Sequence, residues 1–363
     1  MGEKKMKPVV YAVGKNYQIL VPVYEEVLMW VRVGEEEYYD HSNGVMHSDV
    51  LVHKMTVPME ELDRERSYTI CSRKVIKRKA YFTETEDVVE ETFSFQPVEG
   101  EEIRAYHLSD IHNRTKYAVE AVKTYGEVDF LIMNGDIAEH SDTVENAQYI
   151  HEIVYQISEG RIPVIFSRGN HDMRGIYGDR LHENMPCDNG KPYYSFRLGN
   201  IWGLVLDCGE DKPDDHPEYG HTLCCRVMRE DETRYIKNLV KHAEEEFAAE
   251  GVKNKLIIAH YPFSLNINPP FYMENDIYKE WCALLKEHVK PDLMIGGHMH
   301  YLKINHPGCE ADKNGQPCTV VVGATVREGY YAGTGLQFAA DGIEVTFTDS
   351  DGKIVDQEWI GRK

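Results

Sequence analysis

Over the first hundred residues apolar positions come in runs of four or five separated by polar breaks, with no sustained 3.6-residue period. The stretches at 9–13, 17–21, 27–31, 50–53 and 67–70 are rich in β-branched and aromatic residues, and shorter ones lie at Tyr81-Phe82 and 92–95. Short strands at this density predict an all-β sandwich of immunoglobulin or fibronectin III type over residues 1–98. After the stretch Pro97-Val98-Glu99-Gly100-Glu101-Glu102, a natural linker, the pattern changes. Strand-like segments at 103–108, 130–133 and 163–166 alternate with helical ones at 116–125 and 144–158, which calls for βαβ crossovers and a largely parallel sheet. Amphipathic helices are expected at 230–249 and 277–289. The tail from Cys318 is strand-rich, with hairpin signals at Asp341-Gly342 and Asp351-Gly352. The predicted fold of residues 99–363 is α/β in four layers, αββα, with a second, mostly antiparallel sheet against the first and helices outside both.

Five polar blocks punctuate this second region, each after an apolar run: Asp110-Ile111-His112, Gly135-Asp136, Gly169-Asn170-His171-Asp172, His260, and Gly297-His298-Met299-His300. Open α/β sheets collect ligands at the carboxyl ends of their strands, where all five would lie. Their imidazoles, carboxylates and amide oxygen form the donor set of a pair of closely spaced cations. Asp136 is the candidate bridge, because Gly135 permits a tight turn that aims the carboxylate inward. Asp110, His112 and His300 would complete one ion; Asn170, His260 and His298 would complete the other. The absence of thiolates points to manganese, iron or zinc as the two divalent or trivalent ions. His171 leans toward the same pocket as a candidate general acid or stabiliser of phosphoryl oxygens, Asp172 is placed to orient its ring, and Arg174 to clamp a phosphate oxygen. Asn113 is a further candidate donor to that phosphate.

Bland readings stand beside these. Asn170 could cap the following turn, Arg174 could pair with Asp179 or Glu183 on the surface, and Glu139 reads as a carboxylate at a helix N-terminus. The segment 209–225, with Asp211, Asp214, Asp215, His216 and His221, is either a roof over the pocket or a solvated loop.

Charge and length narrow the picture. A chain of 363 residues exceeds the usual span of one hydrophobic core. A formal net charge of −21, most of it beyond residue 98, argues against a nucleic-acid polymer as partner. A phosphate can still be bound where metal ions concentrate positive charge. The opening residues leave no room for a signal peptide and no apolar run is long enough for a membrane span, so a cytoplasmic protein is expected, or a secreted one if a leader has been trimmed. The eight cysteines show no Cys-x-x-Cys pair, and a bridge between Cys309 and Cys318 is expected only in an oxidising compartment.

Taken together, Asp-x-His, Gly-Asp, Gly-Asn-His-Asp, His and Gly-His-x-His resemble the calcineurin-like metallophosphoesterase superfamily over residues 103 to about 300. That resemblance implies a two-sheet αββα sandwich and hydrolysis of a small phosphorylated substrate by in-line attack of a metal-bridging hydroxide. An all-β domain in front further resembles the purple acid phosphatases. Two positions depart from that group: Glu139 stands where its tyrosine ligand would be, and His112 where its first block has glycine. A colourless enzyme is therefore implied, related in organisation rather than in cofactor. A phosphodiesterase or nucleotidase on the same scaffold is the alternative, and a non-catalytic interaction module the rival from another class. Retention of His171 and every metal-ligand position favours the enzyme.

Overall fold

The computed structural model describes residues 5–143, 145–265, 267–271 and 274–362. Residues 1–4, and Val144 at the expected start of the second helix, lie outside these. The strands Ile103–Leu108, Phe130–Asn134 and Pro163–Ser167 pair in parallel, joined by the helices Thr115–Tyr125 and Glu145–Ser158. Side chains alternate across this sheet as the pleat requires. Ile103, Ala105, Phe130, Ile132 and Ile165 face a second sheet, whereas Tyr106, Leu108, Leu131 and Met133 meet Ala118, Ala121, Val122, Ile150 and Val154 of the helices.

The second sheet departs from the mostly antiparallel arrangement the sequence suggests. Ile201–Leu206, Asn254–Ala259, Leu293–Gly296 and Thr319–Arg327 run parallel to one another, with Tyr194–Leu198 and Tyr301–Asn305 antiparallel beside them. The helices Cys225–Lys241 and Asn275–Leu284 supply the crossovers that parallel pairing demands. The inner face of this sheet sends Val205, Leu256, Ile258, Leu293 and Ile295 into the central core, and its outer face packs Leu204, Ile257 and Met294 on Ile236, Trp281 and Leu285. Four layers, αββα, follow. The antiparallel tail, Tyr330–Phe338, Gly342–Asp349 and Ile354–Gly361, extends the first sheet from Ile103–Leu108.

One helix boundary moves for a reason outside its own sequence. The helix expected at 230–249 spans Cys225–Lys241, because the Asp214 carboxylate accepts hydrogen bonds from the backbone N–H groups of Cys225 at 3.0 Å and Arg226 at 3.1 Å. Those are donors that the first turn cannot satisfy itself.

The amino-terminal region is built of strands with one short helix, Met59–Glu65, and strand pairing crosses the boundary expected at residue 98. Val9–Val13 lies parallel to Pro163–Ser167, with Val10 opposite Pro163 and Tyr11 opposite Val164, and Asn16–Pro22 and Val52–Pro58 continue that sheet outward. Val27–Val33, Glu36–Tyr39, Ser67–Lys79 and Val89–Ser94 form a separate antiparallel sheet over it. The composition explains the difference: Val9–Val13 is an unbroken apolar run buried at every position, as a strand covered on both faces must be, whereas Val27–Val33 alternates. One core joins Tyr17, Met29, Val31 and Ile70 to Ile103 and Phe130.

Candidate metal centre

All five blocks emerge at the carboxyl ends of parallel strands, on the edge where the two sheets meet. Their backbone is unusual. Asp110, His112, Asp136, His298 and His300 have φ of +54°, +45°, +54°, +67° and +53°. Non-glycine residues in this left-handed region are strained, and such strain concentrates at functional sites. Gly135, at φ +76°, has no room for a side chain: a Cβ there would lie 2.5 Å from both Cα and N of Gly169. The turns bearing Asp136 and Asn170 can therefore approach closely only because both positions are glycine.

Two sets of donors converge. In the first, the Nε2 atoms of His112 and His300 are 3.3 Å apart, and His300 Nε2 is 3.2 Å from Asp110 Oδ1. In the second, His260 Nε2 lies 3.1 Å from Asp136 Oδ2 and 3.9 Å from Asp110 Oδ1. His298 joins Asp136 and His260 within 4.8 Å. Asn170 is 2 % exposed, makes no capping hydrogen bond, and places Oδ1 2.9 Å from His298 Nδ1. Its side chain thus serves the donor cluster rather than the turn.

His260 provides the test of whether a cation fits. Its Nδ1 donates to the carbonyl of Asn134 at 2.7 Å, so Nε2 carries the lone pair of the neutral ring. Nε2 is buried and makes no hydrogen bond, although a carboxylate oxygen lies beside it. Without a cation, Nε2 can meet Asp136 only by taking up a second proton; a cation between the two satisfies both without one, and oxygen and imidazole donors without thiolate suit manganese, iron or zinc.

The electrostatics carry the same signature. Burial pushes the carboxyls of Asp110 and Asp136 up, but the field of His260 and its neighbours outweighs it and holds both below the ordinary range. Burial opposes charge on His260, and Asp136 and Asp110 overcome this and push it up to about 10. Asp172 is raised to about 7 by burial and by the charge of Asp136.

Three expectations require correction. Asp172 does not touch the ring of His171: its Oδ2 accepts from the N–H groups of Gly169 at 2.8 Å and Asp136 at 3.1 Å, stitching together the two turns that carry donors. The His171 ring is instead held by the carbonyl of Glu139, 2.7 Å from Nδ1, and by Arg174 Nη1, 3.1 Å from Nε2. A carbonyl only accepts and a guanidinium only donates, so Nδ1 bears the proton and Nε2 accepts. Arg174, for its part, pairs with neither Asp179 nor Glu183. Its fork engages the buried Glu210, Nε to Oε1 at 2.9 Å and Nη2 to Oε2 at 3.1 Å, while Glu183 is taken by Arg180. Glu139 lies in an irregular loop ahead of any helix, with Oε2 3.3 Å from His112 Nδ1.

The segment 209–225 combines both readings: its start and Tyr219 form a roof beside His298, while Asp215, Pro217, Glu218 and His221 are solvated. Glu210, Asp211 and Tyr219 are buried, and Tyr219 donates its hydroxyl to Glu210 Oε2 and Asp211 Oδ1, each at 3.0 Å. The sequence leaves Asp211 between a roof and a solvated loop, favours a helix-end carboxylate over a base for Glu139, and does not single out Glu210. The one signal was the density of acids in a turn-rich stretch beside a proposed pocket. Cys309 and Cys318 are free, as are the other six cysteines. No helix among the described residues is long and apolar enough to cross a membrane.

Among curated proteins, none matches the chain. Among solved structures, a purple acid phosphatase isolated from yellow lupin (Lupinus luteus) seeds superposes with a TM-score of 0.62 at 12 % identity, covering 98 % of this chain and 74 % of that one. A dimetal phosphatase from Danio rerio superposes with a TM-score of 0.51 at 12 % identity, covering 74 % of this chain and 100 % of that one. At such identity these likenesses concern the fold. The model of the calcineurin-like phosphoesterases matches residues 103–302, more than half of the chain and the whole span from the first donor block to the last. The chain therefore belongs to the calcineurin-like phosphoesterase family of phosphoester hydrolases.

Proposed function

We propose that the chain is a dinuclear metallophosphoesterase acting on a small phosphorylated substrate. Asp136 would be shared between the ions, with Asp110, His112 and His300 on one and Asn170, His260 and His298 on the other. The observation that carries this reading is His260, whose unbonded Nε2 faces Asp136 and Asp110 while its Nδ1 is fixed by Asn134. When bound, manganese, iron or zinc ions would neutralise phosphate charge and supply a nucleophilic water near neutral pH.

The chain's own groups prepare the pocket. Ser109 donates to Asp110 Oδ2 at 2.7 Å and the N–H of His298 to the same oxygen at 2.9 Å, while the N–H of His171 donates to Asp136 Oδ1 at 2.8 Å, so both carboxylates are aimed before any ligand arrives. His171 and Arg174 form a unit at the rim. A general acid needs its proton on the nitrogen that faces the leaving group, and Nε2 accepts from Arg174 in the arrangement seen. Proton donation by His171 therefore requires a phosphate to draw Arg174 Nη1 aside and Nε2 then to take up a proton from solvent, forming the imidazolium that gives it to the leaving group, which links substrate binding to catalysis. The eight free cysteines suit a cytoplasmic setting.

The test is elemental analysis of purified protein followed by assay of the metal-defined enzyme against phosphomonoesters, phosphodiesters and nucleotides. Two ions per chain and turnover of at least one ester class are expected. Protein that holds no ion at any concentration of manganese, iron or zinc refutes the reading.

A further inference from the structure

Asp211 comes from the roof, not from any of the five blocks, and it is only 5 % exposed. A buried carboxylate costs stability unless its oxygens are matched, and here they are matched unequally. Oδ1 receives the surrounding donors: the Tyr219 hydroxyl at 3.0 Å and Lys212 Nζ at 3.2 Å from the roof, and Arg174 Nη2 at 3.5 Å. Oδ2 points to the centre, 3.7 Å from Nε2 of His298.

His298 has a choice of tautomer. With the proton on Nδ1, it would bond Asn170 Oδ1 at 2.9 Å, and the lone pair on Nε2 would face the negative Asp211. With the proton on Nε2, that repulsion becomes an attraction. The Nδ1 lone pair and Asn170 Oδ1 then stand side by side as two acceptors with no proton between them, a pairing that a cation relieves. A neutral imidazole carries one proton, and the partner of the outer nitrogen decides which nitrogen is left for a metal.

We propose that Asp211 is a positioning residue for the centre: its Oδ2 keeps the proton of His298 on Nε2 and so presents the Nδ1 lone pair, beside Asn170 Oδ1, to one of the two ions. The inference rests on the dinuclear reading above. It adds that the roof helps to set the affinity of one ion and not the other. Tyr219, Lys212 and Arg174 hold the carboxylate in place, so the roof is tied to the centre through a single side chain.

The experiment uses the full-length chain loaded with zinc alone and equilibrated with graded chelator, retained zinc being measured by elemental analysis. In Asp211→Asn, which keeps an oxygen for Tyr219, one ion is expected to leave at chelator concentrations about 10- to 100-fold lower than in the wild type, the other at an unchanged concentration. Tyr219→Phe removes a partner of Oδ1 and spares Oδ2, so it should release both ions as the wild type does. An equal effect in the two variants would show that roof anchoring alone matters, and would overturn the proposal. Nitrogen-15 spectra of the zinc-loaded wild type give the second readout: a protonated Nε2 on His298 is expected, and a protonated Nδ1 overturns the proposal whether or not the Asp211 variant folds. Wild-type protein that retains no zinc at all overturns the metal reading itself, a failure distinct from these.

Discussion

The two sheets make unlike contributions to the centre they share. The first, through Ile103–Leu108, Phe130–Asn134 and Pro163–Ser167, delivers the oxygen donors Asp110, Asp136 and Asn170, with His112 as its one imidazole among the seven candidate donors. The second, through Asn254–Ala259 and Leu293–Gly296, delivers only imidazoles: His260, His298 and His300. Carboxylates bring negative charge and imidazoles bring none, so the first sheet sets the charge of the site and the second completes its geometry. In the proposed centre, two divalent ions against Asp110, Asp136 and the half-exposed Glu139 would still leave a net positive charge within a strongly acidic protein. The roof does not cancel this, since Arg174 and Lys212 already match Glu210 and Asp211. That is how a chain with a net charge of −21 can attract a phosphate.

The contrast breaks most sharply at the bridge. Asp136→Asn keeps the shape of the side chain but removes the charge that both ions would share. Turnover should fall about a thousandfold or more, with at least one ion lost by elemental analysis and no recovery on adding excess metal. Full occupancy in this variant would remove Asp136 from the bridging position. A smaller loss is expected from His171→Ala, which leaves all seven donors in place: unchanged metal content and turnover lower by about a hundredfold, most for esters with poor leaving groups. Equal loss for activated and unactivated esters would mean that the ring aids binding and does not donate a proton.

Legibility in the sequence follows the same division between regular and irregular chain. The donor blocks were readable because each sits where a strand of known period ends, and because glycines at 135, 169 and 297 announce close backbone approach. The βαβ order of the first sheet was readable for the same reason. Pairings between distant segments were not. Nothing in the run Val9–Val13 names Pro163–Ser167 as its neighbour, although its unbroken apolarity distinguishes a doubly covered strand from an alternating one. Asp214 starts a helix at Cys225 from eleven residues away in sequence, and Glu210 claims Arg174 across 36. Those contacts depend on where an irregular loop folds back. Asp172 illustrates the limit within a recognised motif: adjacency to His171 suggested contact, but the turn sends the two side chains to opposite sides of the backbone, one to the rim and one beneath the turn.

Substitution on the nitrogen side sharpens the comparison. His298→Ala removes one neutral donor from one ion, so that ion should bind more weakly by at least the roughly 10- to 100-fold that loss of an outer partner costs, and activity should return when excess metal is supplied, unlike in Asp136→Asn. Failure of added metal to restore turnover would mean that the imidazoles of the second sheet do more than hold an ion.

The smallest effect expected is on stability, and it separates the two sheets by pH. In protein stripped by chelator, His260 is raised from 6.5 to about 10 by the carboxylates of the first sheet. A raised histidine stabilises the fold fully below pH 6.5 and ceases to do so as pH climbs through about 10. Asp172, raised to about 7 by burial and by Asp136, acts in the same direction at lower pH: its neutral form is favoured in the fold, and that contribution is lost as pH rises from 3.8 toward 7. Asp136, held below its ordinary value, contributes above pH 3.8 and fails only on acidification. The melting temperature of stripped protein should therefore decline by several degrees between pH 6.5 and 10. Metal-loaded protein should stay nearly level over that interval, because a cation beside Nε2 replaces the proton that His260 would otherwise need. Parallel melting curves for the two forms would show that His260 does not couple the sheets in the manner its surroundings imply.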